Sequence, residues 1–160
     1  MARPPDARPV SAHGSNARRD RTTRVDLQSL ARLRLREAEV LFEAGLYDGA
    51  SYLCGYAVEC ALKAVICKQL DVNEYPHYRE RLRGVFASHH LEDLRFLAGL
   101  SAKIGPGRPV LWQNWSTVVA WKSEQRYDSE GSQTAQNALD MLNAVRSKSN
   151  GVLRWLARRW

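Results

Sequence analysis

The sequence predicts an all-α protein, an up-and-down helical bundle of about five helices. Three observations carry that expectation. Apolar residues recur at steps of three and four in successive segments, no segment alternates with the period of a strand, and Gly, Pro and polar clusters punctuate the periodic stretches.

Residues 1–25 contain Pro4, Pro5, Pro9 and Gly14 among scattered Ser, Thr and Arg, without the apolar periodicity that offsets the entropy of ordering. They are expected to form a disordered basic arm ahead of a helical domain over 26–160. From Asp26 the period through Leu27, Leu30, Ala31, Ala38, Leu41 and Phe42 predicts a first helix to about Ala44, with Gly45 as its C-cap. A second helix, with Asp48 as N-cap, is expected to run to about Leu70; Ala50, Leu53, Cys54, Ala57, Val58, Cys60, Ala61, Leu62, Ala64, Val65 and Ile66 make it apolar on nearly every side. Such a helix belongs at the centre of a bundle.

Asp71 to Ser88, with Pro76 and alternating Arg79, Arg81 and Arg83, reads as a loop with one helical turn. The period resumes over His89 to Lys103 and stops at Gly105, Pro106 and Gly107. Pro109 suits the first turn of a fourth helix through Val110, Leu111, Trp115, Val118 and Trp121, and 122–131 is polar and turn-like. Ser132 is the expected cap of a long final helix to Trp160, weakened at Asn150 and Gly151.

The 160 residues are 44% hydrophobic and 26% charged, enough for one domain with a core and unlike collagen, disordered or disulfide-framework compositions. The apolar runs are interrupted before a bilayer-spanning length, so no membrane association is expected. A net charge of +7 invites a polyanion partner, but it is concentrated at the ends: residues 1–25 hold six Arg against two Asp, and 132–160 hold five basic residues against Asp140. The body is close to neutral. Arg158 and Arg159 suit the negative end of the last helix. Five tryptophans exceed what one small core readily covers, which points to an interface.

Cys54, Cys60 and Cys67 share one helix without CxxC spacing and read as small core hydrophobes in a reducing, cytoplasmic compartment. Neither a metal nor a cofactor is expected, since metal-ligand spacings and phosphate-binding glycine loops are lacking. Tyr52, Tyr56, Glu59 and Lys63 fall on one face of the second helix. On a helix apolar elsewhere, Glu59 and Lys63 form either an internal ion pair that fixes register or the polar face of a cleft. His89 and His90, at the start of the third helix, are capping or packing residues, or they work with Arg83 as a ribonuclease pair in which Arg stabilises phosphorane charge and His moves a proton. Before the last helix, Arg126 is placed to grip a phosphate and Trp121 and Tyr127 to stack on a base; alternatively Arg126 pairs with Glu124 or Asp128 and Tyr127 packs inward.

The stretches AGLYDGASYLCGYAVECALKAVICKQL, HHLEDLRFL, WKSEQRYDS and NGVLRWLARRW follow one another in an order and spacing that resemble the HEPN family, "higher eukaryotes and prokaryotes nucleotide-binding", in the branch often encoded beside a minimal nucleotidyltransferase. The AVECALKA core with Glu59 and Lys63, the His90-Leu91 pair and the Arg126-Tyr127 pair carry the resemblance. It implies a helical bundle that commonly dimerises and a role in RNA targeting. Many prokaryotic members are metal-independent endoribonucleases of toxin-antitoxin and defence systems; others bind nucleotides or partners without catalysis. Ribonuclease members carry an Arg followed, after four to six residues, by a His. Here no histidine follows His90, so Arg126 lacks that partner, and Arg83 precedes Gly84 in a loop. The implied function is a nucleotide- or RNA-binding module, a homodimer with a nucleotidyltransferase-type partner, with Glu59, Lys63, Arg126 and Tyr127 in the binding role. The alternatives are an endoribonuclease using Arg83 with His89 or His90, and a non-catalytic dimerisation scaffold.

Overall fold

A computed structural model describes residues 22–160 as seven α-helices. The expected arm lies outside the described residues as far as residue 21. Helix α1, Arg24–Glu43, starts two residues earlier than the periodicity indicates because Thr23 and Asp26 form a capping box. The Thr23 hydroxyl accepts from the Asp26 amide at 3.1 Å and the Asp26 carboxylate accepts from the Thr23 amide at 3.0 Å. The chain reverses at Gly45, whose φ of +75° is open to glycine without a Cβ penalty. Helix α2, Tyr47–Gln69, then runs back against α1 and also packs on α4, α6 and α7. It is the central helix expected from its all-round apolarity. Among the described residues, α2 is the one helix long and apolar enough to cross a bilayer, which corrects the expectation that its apolar runs are too broken; 78% of its most apolar window is buried inside the bundle.

After α2, Arg24 donates its amide to the Asn73 carbonyl and Tyr75 to that of Thr22, so the start of α1 and the segment leaving α2 are held side by side. Two 3-10 turns, Pro76–Tyr78 and Glu80–Leu82, and the short helix α3, Arg83–Phe86, lead to α4, Leu91–Leu97. The predicted third helix is therefore shorter at both ends. His90 is its N-cap, and Gly99 at φ +65° stops it. Arg95 locks the following turn by donating to the Ile104 carbonyl at 2.8 Å and pairing with Glu92, whose other oxygen accepts from Trp115 Nε1. Helix α5, Pro109–Val118, opens on its proline as expected but ends before Trp121.

The predicted long final helix is two helices, α6 (Ala135–Arg146) and α7 (Val152–Ala157). A Cβ at Gly151 would sit 2.4 Å from the Ser147 carbonyl oxygen, so the turn between them is closed to any other residue. Two expected caps also move. Thr134, not Ser132, caps α6, and Leu46, not Asp48, precedes α2. Asp48 instead accepts from the amides of Gly131 and Gln133 and from the Ser132 hydroxyl, pinning the chain as it approaches α6. Trp115, Trp121 and Trp155 are buried and Trp112 and Trp160 are partly covered by the same core, so the tryptophan count is no sign of an interface.

Candidate functional site

The polar face of α2 is where the sequence candidates converge. Lys63 Nζ donates to Glu59 Oε1 at 2.6 Å, closing the predicted i,i+4 pair, and the carboxylate is only 3% exposed. His89 Nδ1 lies 2.9 Å from the same oxygen, a hydrogen bond when that nitrogen carries the proton. The two cationic-capable groups share one acceptor because the chain between α3 and α4 brings His89 across the face of α2. Such a buried carboxylate is tolerable only with its partners in place.

Beside this cluster lies a cavity of about 300 Å³. Glu59, Lys63 and His89 line it together with the rings of Tyr56, Tyr75 and Phe86. Tyr75 meets Phe86 edge-on at 5.8 Å, stacks on His77 at 5.6 Å and has Lys63 Nζ 5.3 Å from its ring centroid. Burial raises the pKa of the Tyr75 and Tyr56 phenols, so both stay neutral hydroxyls near neutral pH. Among the described residues the Tyr75 hydroxyl has no hydrogen-bond partner. At the other side of Tyr56, the Arg34 guanidinium from α1 stands 5.7 Å from the ring.

Farther toward the start of α2, the 3-10 turn Ser123–Tyr127 packs on the helix. Trp121, preceding it, is not a stacking surface for a base. Its indole lies directly over Gly55, where a Cβ would stand 2.1 Å from the ring, and Nε1 donates to the Tyr52 carbonyl at 3.0 Å. Arg126 and Tyr127 do face outward. Tyr127 is 79% exposed, Arg126 lies 5.0 Å over its ring, and the hydroxyls of Tyr127 and then Tyr52 hold the guanidinium above the ordinary arginine pKa. Hydrogen bonds from its own amide and then from the Ser123 hydroxyl hold the Glu124 carboxyl on the same turn below the usual carboxylate range. Tyr52, Tyr56, Glu59 and Lys63 thus carry, in order, Arg126, Arg34 and His89 along one side of α2.

The HEPN domain model matches residues 26–148. The chain belongs to the HEPN family. No curated protein and no solved structure matches it. In this HEPN chain Arg83 is exposed at the first position of α3, while the cavity wall is built by Phe86 and Ala87 of the same stretch. His89 is held to Glu59, and His90 is exposed at the N-cap of α4. The Glu59 and Lys63 pairing was legible from helical spacing. Tyr75 and His77 carry no such signal because they lie outside the α-helices, and Phe86 ends a helix of only four residues. The three cysteines are free and buried, and burial pushes the Cys54 and Cys60 thiols up to about 12. Among the described residues no group of His, Cys, Asp or Glu is placed to hold a metal.

Proposed function

We propose that this HEPN protein is a nucleotide- or RNA-binding module, and that its ligand lies along the side of α2 running from Arg126 and Tyr127 to Lys63. The observation that carries this reading is the exposed Arg126-Tyr127 pair packed beside Tyr52 on the same helix face as the cavity at Glu59, Lys63 and His89. A guanidinium offers a fork to phosphate, an outward phenol ring offers a stacking plane, and a cavity walled by aromatic rings admits a base. Action as a homodimer with a nucleotidyltransferase-type partner, in a toxin-antitoxin or defence system, is the biological setting that family membership suggests.

The test is equilibrium binding of ribonucleotides and short single-stranded RNA. Arg126→Ala should weaken binding about tenfold, the loss of one charged hydrogen-bonding group. Unchanged affinity in Arg126→Ala and in Glu59→Gln/Lys63→Met together would overturn the assignment of the face. Ribonuclease action by Arg83 with His89 or His90 makes a separate prediction. RNA cleavage in EDTA, lost in His89→Ala and His90→Ala, would establish that activity instead.

A further inference from the structure

A second group of positive charges among the described residues lies away from the face of α2. A cavity of about 620 Å³ opens between α7 and the turn joining α4 to α5. Lys103, Arg108 and Arg159 line it, and none of its lining residues is acidic. Arg159 is held in place, its guanidinium 3.4 Å over the Trp155 ring and donating to the Trp155 carbonyl at 2.7 Å. Burial, then the like charges of Arg108 and Arg158, lower its pKa, so the cations here repel one another.

Trp155 and the start of α5 adjoin the same space. Trp155, 7% exposed, lines the cavity, and its Nε1 is buried without a hydrogen-bond partner among the described residues. Helix α5 begins here with Arg108 as N-cap and Pro109 next, and no side chain caps its amides, so the positive end of its dipole is uncovered. Gly105 and Gly107 have open space where a Cβ would stand, leaving the backbone approachable. Because Arg159 covers the face of the Trp155 ring, no base is served; recognition is of charge and oxygen acceptors.

We infer that this cavity binds the phosphate groups of a multiply phosphorylated ligand, through Lys103, Arg108, Arg159 and the start of α5. Three cations, Arg159 among them held in place, with no acidic residue in the lining match a multiply charged anion, and guanidinium groups match phosphate oxygens two at a time. The phosphate comes either from a free polyphosphate tail or from a nucleic-acid backbone.

The experiment is calorimetric titration of the full chain with tripolyphosphate at fixed ionic strength. Lys103→Ala/Arg108→Ala should weaken binding at least tenfold, and Arg108→Glu more. Arg36→Ala/Lys148→Ala, which removes the same charge from exposed positions elsewhere, should change it less than twofold. Thermal melts verify that the variants fold; Lys103 and Arg108 are exposed, so folding is expected to persist. Competition by short single-stranded RNA identifies the backbone as source, and competition by a nucleoside triphosphate but not RNA identifies the tail. Tripolyphosphate that does not bind, or that binds Lys103→Ala/Arg108→Ala as well as the parent, overturns the site. So does equal weakening in the control pair. Glu59→Gln/Lys63→Met and Arg126→Ala should retain tripolyphosphate binding, which keeps this result separate from that of the α2 face.

Discussion

Gly55 and Trp121 decide how closely the turn after α5 approaches α2. The indole occupies the space of the absent Cβ, so Gly55→Ala should cost about 3 kcal/mol through overpacking and displacement of the ring, read as a lowered denaturant midpoint. Glu59 poses a different residue-level question, since its carboxylate is buried and depends on Lys63. Lys63→Met should destabilise by about 3 kcal/mol, because it removes a partner from a buried charge. Glu59→Gln/Lys63→Met should recover most of that loss, since the charge is gone. If ligand affinity stays low in the double variant while stability returns, the Glu59–Lys63 pair contributes to binding and not only to register. The Glu59–Lys63 contact was legible because four residues is one helical step. His89 was recognised as a candidate but not as the third member, since its contact spans thirty residues of sequence and depends on an irregular connection.

At the scale of elements, α1 and α2 were legible because their apolar residues keep the helical period and their exits coincide with turn residues. The shortening of α4 and the division of the last helix were not. Glycine within a helix costs only about 1 kcal/mol, so Gly99 and Gly151 weaken a helical reading without ending it. The glycines end the helices with tertiary support: Arg95 fixes the turn after α4, and Asn114 donates to the Asn150 carbonyl at the break before α7. Asp48 likewise has its partners more than eighty residues away, holding the approach to α6. The amides of Gly131 and Gln133 lower its pKa below the ordinary aspartate value. Its contribution to stability is therefore fully present above that value and is lost as pH falls through the lower native one. Acid unfolding monitored by circular dichroism should show a smaller drop in stability across that window in Asp48→Asn than in the parent.

The whole molecule is organised around one apolar helix carrying all three thiols. Cys54, Cys60 and Cys67 are buried in α2, with Cys67 pushed up to about 11 and the other two to about 12. At pH 8 they should resist a thiolate-selective reagent in the native protein and all react on unfolding. Their labelling rate should follow denaturant concentration as global stability does; rapid labelling of any one under native conditions would show that α2 opens locally. The charge of +7 also acquires a location. Part of it, on Lys103, Arg108 and Arg159, lines a cavity beside α7.

The pairing of Thr22 and Arg24 with Asn73 and Tyr75 has a practical consequence. Thr22 is itself part of the wall of the Glu59 cavity, so the paired segments stand at that opening. A small fluorophore carried at position 22 itself is stationed to report occupancy of the cavity, and a bulky group at the same position stands in its doorway.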